Sequence, residues 1–181
     1  ENIVAFQFYF ADMIAKRRKE PLDDMITDLV NTLIDDAETG EQRELTMEEL
    51  QNLLQQLMVA GNETTTSAIT SGMVSLIQNP EQMKALQEDH SKIPNAVEEI
   101  LRMESPSAGM WRVVTQDTEV HGVKIPKDSL LMLRYHAANR DRALFENPNE
   151  IDIERSNAND HIAFGQGIHF CPGAMLARKE M

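Results

Sequence analysis

The stretch from Thr46 to Gln78 limits most strongly how this chain can fold. Thr46, followed three positions later by Glu49, forms a capping box, a pattern that marks the start of a helix. The helix can then run to about Gln78, where the pair Asn79 and Pro80 begins a new one. A helix of this length is unusual in a globular domain, so we expect the fold to be built largely from helices.

Further helices are predicted on both sides of this long one. Residues 3–19 carry apolar side chains at helical spacing and end in "KRRKE", with Pro21 as the stop. Apolar pairs repeat every four positions in "DDMITDLVNTLIDDA" (23–37), which predicts a second helix. Another helix is expected after Pro80, and "NAVEEILRME" (95–104) predicts one more.

The sequence changes character at Trp111. "WRVVTQDTEV", a His-Gly turn and "VKIPKDSLLML" are rich in β-forming residues and predict short strands of a small sheet. A polar loop is predicted over 139–167, followed by a helix that begins near Pro172 or Gly173. The predicted fold class is therefore mainly α with a small β-sheet region.

Composition narrows the possible functions. The chain has 181 residues, of which 41% are hydrophobic, enough to form the core of one ordinary domain. A formal net charge of -13 argues against nucleic acid and anionic membranes as partners. No apolar run approaches the roughly 20 residues that a membrane-spanning helix needs. Because the sequence lacks an initial methionine and stops at Met181 inside a newly begun helix, we expect a fragment.

The segment "FGQGIHFCPG" (164–173), called the cysteine loop below, holds the only cysteine and three of the eight glycines. A single cysteine cannot form an internal disulfide, which indicates a reducing compartment. Its position just before a predicted helix start favours a thiolate. The residues alone leave open an inert buried thiol, a nucleophile with His169 as its base, or a metal ligand. Zinc is a poor match, because His161, His169 and one cysteine lack the spacing of a zinc site.

The longer segment "FGQGIHFCPGAMLAR" resembles the haem-binding signature of the cytochromes P-450. The residues at the family's spacing are Phe164, Gly165, Gly167, His169, Cys171 and Gly173. The resemblance implies that Cys171 is the thiolate ligand of the iron in haem b (iron protoporphyrin IX), a ligand that favours O–O bond cleavage. It also implies that the glycines let the backbone approach the porphyrin. His169 would then bind a haem propionate, and Phe164 would pack beside the sulfur.

The run "AGNETTTS" (60–67) lies in the middle of the long predicted helix. By itself such a polar run is typical of a solvated helix face. It is also similar to the family's oxygen-binding helix, which implies that Ala60 and Gly61 leave room above the iron. In that case Glu63 and Thr64 form the acid and alcohol pair that supplies protons to dioxygen.

Three arginines gain a role from the same resemblance. Glu99 and Arg102 in "EEILR" stand at i, i+3, which by itself predicts only a surface ion pair. In the family this pair meets a later arginine in a buried network behind the cysteine loop, and Arg155 matches that position. Arg112 by itself is a cation on a strand surface, whereas the resemblance implies that it binds the second haem propionate.

The resemblance covers essentially the whole chain and implies a partial cytochrome P-450 fold. Residues 1–181 would be a single partial domain, the C-terminal half of the catalytic domain. The implied activity is a monooxygenase that inserts one oxygen atom from O2 into a small apolar organic substrate. The sequence is most similar to soluble bacterial members, which implies a cytoplasmic enzyme without nucleic-acid or membrane partners. Its electrons would come from a ferredoxin or flavodoxin with its reductase, docking near Arg178 and Lys179.

Two other outcomes remain open for a chain of this length. The fragment could bind haem without catalytic turnover, or it could be unable to fold and bind nothing.

Overall fold

The computed structural model describes residues 2–181, with side chains from residue 4 onward. The side chain of Ile3, part of the predicted first helical stripe, lies outside the described residues. The chain forms two compact units, of which the first ends at Asn62 and the second is Glu63–Met181. The boundary falls within one long helix.

The first unit is built from helices and one hairpin. Its elements are α1 (Asn2–Lys19), α2 (Met25–Asn31), β1 (Leu33–Asp35), β2 (Gln42–Glu44) and the beginning of α3 (Met47–Gln78). The core of this unit consists of Phe10, Ile14, Val30, Leu45, Leu50 and Leu54. The predicted helix over residues 3–19 is confirmed, and it ends in four basic residues that favourably oppose the helix dipole.

The second predicted helix is wrong in its latter half. It ends at Asn31, and Leu33–Asp35 instead forms an antiparallel strand opposite Gln42–Glu44. The turn between these strands is fixed by Asp36, whose Oδ1 accepts the N–H groups of Glu38 and Thr39, both at 3.0 Å. Local side-chain hydrogen bonds of this kind compete with helix formation. The four-residue apolar repeat is therefore overridden by turn chemistry.

The capping box of α3 is confirmed. The N–H of Thr46 donates to Oε2 of Glu49 at 2.8 Å, and the N–H of Glu49 donates to Oγ1 of Thr46 at 3.2 Å. The helix extends over 32 residues and ends at Gln78, as the sequence predicts. It is followed by α4 (Pro80–Glu88), with the proline in its first turn.

The rest of the second unit carries most of the functional candidates. After α4, its helices are α5 (Ile93–Met103), α6 (Tyr135–Ala138) and α7 (Ala174–Glu180). Its strands are β3 (Met110–Val113), β4 (Thr118–Val120), β5 (Val123–Ile125) and β6 (Leu130–Leu133). The main core cluster of this unit is Leu76, Ala96, Ile100, Ile151 and Ile153.

The predicted strands are confirmed, but they do not form one sheet. β3 pairs with β6 and β4 pairs with β5, each antiparallel and two-stranded. The turn between β4 and β5 is the predicted His-Gly pair, with φ of 48° at His121 and 81° at Gly122. The fold class, mainly α with small β regions, is as predicted.

None of the helices within residues 2–181 combines the length and the apolar character needed to cross a membrane.

Candidate functional site

The cysteine loop is held by its own backbone. The N–H of Cys171 donates to the carbonyl of Phe164 at 2.9 Å, which closes the loop on itself. The N–H of Phe170 donates to the carbonyl of Gly167 at 3.0 Å within a short 3-10 turn. The thiol of Cys171 is free and half-buried, directly before α7. A sulfur at this position is accessible and lies close to the positive end of a helix dipole.

Glycine is required at two points of this loop by its backbone conformation. Gly165 has a φ of +72° and Gly167 a φ of +70°, values that side-chain-bearing residues rarely adopt. A Cβ at Gly165 would also meet Oη of Tyr135 at 3.4 Å. Gly173 is different, because a Cβ there would lie 3.9 Å from Sγ of Cys171, an ordinary contact.

Aromatic and cationic side chains surround the loop. The ring of Phe164 packs edge-on against Phe170, with the centroids 6.2 Å apart. The guanidinium of Arg178, from α7, also lies over the ring of Phe164, with Cζ 4.6 Å from the ring centroid. The exposed tip of the loop is formed by Ile168, His169 and Phe170. The loop therefore presents an apolar surface that carries one imidazole.

The structure brings Glu99, Arg102 and Arg155 into direct contact. Oε2 and Oε1 of Glu99 accept from Nε and Nη2 of Arg102 at 2.7 and 2.8 Å. Nε of Arg155 lies 3.1 Å from both carboxylate oxygens. Glu99 and Arg102 are fully buried, so this is not the surface ion pair that their spacing alone predicts.

The arginines of this cluster also bind backbone carbonyls of the long loop. Nη1 of Arg102 donates to the carbonyls of Asn139 and Pro148, each at 2.8 Å. Nη1 of Arg155 donates to the carbonyl of Glu146 at 2.6 Å. The loop that precedes the cysteine is therefore ordered around two buried guanidinium groups, which satisfy carbonyls that would otherwise be costly to bury.

A second charged cluster lies beside the first, and sequence reasoning missed it. Glu98 of α5 binds His161, just before the cysteine loop, at 3.1 Å. Glu98 also binds Arg178 of α7 at 2.6 and 3.0 Å. Burial raises the pKa of Glu98, but the hydrogen bonds from His161 and Arg178 outweigh burial and hold that pKa at about 2. The only signal in the sequence was the doubled glutamate in "EEILR".

A buried amide forms a further link that the sequence did not indicate. The side chain of Asn139 is 1% exposed, donates to Oγ of Ser105 at 2.9 Å and accepts the N–H of Ile162 at 2.8 Å. Asn139 thereby joins the end of α5 to the segment that leads into the cysteine loop.

Comparison with known proteins shows to which family the chain belongs. The cytochrome P-450 family profile matches residues 1–181. The chain belongs to the cytochrome P-450 family. It is 43% identical over 178 residues to cytochrome P-450 107B1 of Saccharopolyspora erythraea, covering 98% of this chain and 42% of the relative. It is 39% identical over 181 residues to a steroid C26-monooxygenase of Mycobacterium tuberculosis, covering 100% of this chain and 47% of the relative.

A solved structure of the family agrees in fold. Cytochrome P-450 CYP109Q5 from Chondromyces apiculatus superposes with a TM-score of 0.90 at 41% identity, covering 97% of this chain and 44% of that chain. The chain therefore spans less than half the length of these cytochrome P-450 relatives.

A haem cofactor, which membership of the cytochrome P-450 family implies, fits the residues of the cysteine loop. The loop offers one accessible thiol and an apolar rim, as a flat porphyrin with a central iron requires. Gly173 leaves the space next to Sγ free of a side chain. His169 is exposed and Arg112 half-buried, so both are available to propionate groups. Nη1 of Arg112 donates to the carbonyl of its neighbour Trp111 at 2.8 Å.

The polar run of α3 is placed on an accessible helix surface. Glu63 and Thr64 are exposed, whereas the next residue, Thr65, is buried. Ala60 and Gly61 are exposed as well, and a Cβ at Gly61 would meet nothing within 4 Å. Apolar side chains on either side of the run are exposed too: Met58, Val59, Ile69 and Met73.

Proposed function

We propose that this chain is the C-terminal half of a haem-thiolate monooxygenase. The whole protein would insert one oxygen atom from O2 into a small apolar organic substrate. The observation that carries the proposal is the cysteine loop, in which the only thiol of the chain precedes α7 with two glycines at positive φ beside it. The family match over residues 1–181 supports the same chemistry.

Cys171 is proposed as the iron ligand of haem b. When bound, the haem would supply the activation of O2, helped by the electron-donating thiolate. The backbone hydrogen bond from Cys171 to Phe164 holds the sulfur in position. Gly165 and Gly167 allow the tight bend that places it there. His169 and Arg112 are proposed to bind the two propionates, where a planar guanidinium suits a carboxylate.

The buried cluster of Glu99, Arg102 and Arg155 is proposed as the structural brace of the haem site. It contacts no part of the loop tip but fixes the backbone of the segment that leads to it, through the carbonyls of Glu146 and Pro148. A thiolate ligand must be held without rotation or exchange for water, so a rigid support behind it favours haem retention.

Proton delivery is proposed for the polar run of α3. Glu63 is an exposed carboxylate that can take up a proton from solvent, and Thr64 offers a hydroxyl that can pass it on. Gly61 and Ala60, without large side chains, leave room for the diatomic ligand. In this proposal Glu63 is the general acid, and Thr64 relays the proton.

The proposed electron donor is a ferredoxin or flavodoxin with its reductase, in a cytoplasmic setting. Lys179 is exposed on α7, whereas Arg178 is half-buried and paired with Glu98, so Lys179 is the cation that this helix offers to a partner of an otherwise acidic chain. Ferredoxins and flavodoxins are acidic, and complementary charge steers such encounters.

Haem reconstitution of the chain tests the proposal. After reduction under carbon monoxide, a strongly red-shifted Soret band is expected in the natural chain and its loss in Cys171→Ser. A haem-loaded chain whose Soret band is the same with serine at this position would contradict thiolate ligation.

A haem binder without turnover is the second candidate. It is favoured because the chain spans less than half the length of its relatives. Consumption of reductant that depends on added substrate would identify a monooxygenase, while a Cys171-dependent spectrum without such consumption would identify the binder.

A further inference from the structure

Glu98 belongs neither to the buried brace of Glu99, Arg102 and Arg155 nor to the residues proposed to contact the haem. Its carboxylate uses both oxygens: Oε1 accepts from Nε of Arg178 at 2.6 Å, and Oε2 accepts from Nη2 at 3.0 Å. Oε2 also contacts Nε2 of His161 at 3.1 Å. His161 precedes the cysteine loop and Arg178 follows it, so one side chain of α5 binds both flanks of the loop.

His161 is fixed by a second hydrogen bond. Its Nδ1 accepts the N–H of Ala163 at 3.1 Å, so the ring places its proton on Nε2, toward Glu98. The side chain of His161 is 2% exposed and that of Glu98 is 15% exposed. Both partners are therefore held in one geometry, with little water to compete for the hydrogen bond.

Arg178 connects Glu98 to the cysteine loop. Its guanidinium lies over the ring of Phe164, whose carbonyl accepts the N–H of Cys171. The hydrogen bonds to Glu98 raise the pKa of Arg178, burial lowers it, and attraction to Cys171 adds to the increase. Arg178 is thus fixed against Phe164 of the cysteine loop, and Glu98 determines where its guanidinium lies.

Glu98 and its neighbour Glu99 serve different parts of the structure. Successive residues of a helix point about 100° apart, so the two carboxylates face different partners. Glu99 binds Arg102 and Arg155, whereas Glu98 binds neither. Glu99 therefore cannot replace Glu98 when Glu98 is removed.

We propose that Glu98 is a positioning residue that clasps the two flanks of the cysteine loop through His161 and Arg178 and thereby keeps Cys171 in place. The role of Cys171 as iron ligand rests on the proposed function, whereas the clasp itself is a property of the chain without haem. Hydrogen exchange in the haem-free chain tests the clasp, and the spectrum of the haem-loaded chain tests the role of Cys171.

The first readout is amide hydrogen exchange in the whole haem-free chain carrying Glu98→Gln. We expect exchange of the Gly165, Phe170 and Cys171 amides to accelerate about tenfold, because charge-assisted hydrogen bonds that restrict local opening are lost. Exchange in the β3–β6 ladder should stay as it is in the natural chain. Unchanged exchange in the loop, or equal acceleration in β3–β6, would overturn the clasp.

Glu88→Gln is the matched control, because it removes an exposed carboxylate that pairs with Lys84 at 3.5 Å on α4. It should leave loop exchange unchanged. If Glu98→Gln fails to fold, Arg178→Lys gives a second route: it keeps the charge but lacks the two-pronged geometry. The same local acceleration is expected there, and its absence would count against the proposal.

The second readout is the haem-loaded chain. In Glu98→Gln the red-shifted Soret band of the reduced carbon monoxide adduct should decay faster than in Glu88→Gln, and the haem potential should become more positive as a nearby negative charge is lost. Equal decay and equal potential would overturn the positioning role. A natural chain without any Cys171-dependent band would instead contradict the proposed function, and exchange would still decide on the clasp.

Discussion

At the scale of single residues, the site depends on conformations and charges that few amino acids can supply. Gly165 has a positive φ and lies against Tyr135, and Arg102 is fully buried with five hydrogen bonds to Glu99 and three carbonyls. We therefore expect substitution of either residue to lower the stability of the chain, because of backbone strain at Gly165 and loss of buried hydrogen bonds at Arg102.

Replacing Gly165 by alanine should destabilise the chain by about 1 kcal/mol or more, because a Cβ is strained at a φ of +72° and meets Oη of Tyr135. Urea unfolding measures this change. Gly61→Ala is the control, since Gly61 lies inside α3 with open space around it and alanine favours a helix by about 1 kcal/mol. Equal effects of the two substitutions would refute the conformational argument.

Arg102→Ala should lower the free energy of unfolding by roughly 3–5 kcal/mol, because Glu99 and several carbonyls lose their buried partner. Haem retention should fall with it, while substrate preference should not change. Lys92→Ala, which breaks an ion pair to the exposed Glu154 at 2.7 Å, is expected to cost about 1 kcal/mol or less. Haem content that stays normal in Arg102→Ala would rule out the brace.

At the scale of elements, hydrogen bonds decide where helices and strands end. In the first unit Arg43 of β2 binds Asp36 in the preceding turn at 2.7 Å and Glu49 at the start of α3 at 2.8 Å. The hydrogen bonds from Arg43 and from the backbone of Thr46 lower the pKa of Glu49 to about 2. The guanidinium of Arg43 thereby joins the β1–β2 hairpin to the start of α3.

This junction predicts a loss of stability in acid. The pKa of Glu49 is about 2 in the folded chain, below the 4.5 that is usual for glutamate. Its contribution to the free energy of unfolding is therefore complete above pH 4.5 and disappears as the pH falls toward 2. The urea midpoint should fall over this range, and less steeply in Glu49→Gln. Glu48→Gln, an exposed neighbour on the same helical turn, should keep the full slope. Identical slopes in all three proteins would exclude the junction as a source of acid sensitivity.

At the scale of the whole molecule, the chain contains two compact units with separate cores. No residue of the first cluster, which includes Ile14, belongs to the second, which includes Ile153. The only tryptophan, Trp111, lies in the second unit. Fluorescence therefore reports on one unit, whereas circular dichroism reports on both.

Ile14→Ala should destabilise the first unit by roughly 2–5 kcal/mol, because Ile14 is 0% exposed in its core. The urea midpoint followed by circular dichroism should shift, while the midpoint followed by Trp111 fluorescence should stay nearly constant. Ile153→Ala should move the fluorescence midpoint. If Ile14→Ala moved both signals equally, the two units would unfold as one cooperative structure.

Local patterns were sufficient to predict most elements and to single out the cysteine loop. The capping box at Thr46, the proline that opens α4, and the glycines around Cys171 each act within a few residues. Their physical effects are local, so the sequence predicts them without knowledge of the fold. The same holds for the fold class and, through the loop signature, for the family.

Contacts between distant segments could only be decided by the tertiary structure. The strand at Leu33–Asp35 forms because it pairs with Gln42–Glu44 across the turn that Asp36 fixes, although its own apolar spacing favours a helix. Glu98 meets His161 and Arg178 from positions 63 and 80 residues away, and no local pattern encodes such a meeting. The sequence by itself determined most elements and the family, because these depend on local patterns and on the signature around Cys171. Only the tertiary structure decided that Glu98 and Glu99 bind different partners, because each carboxylate meets side chains from distant segments.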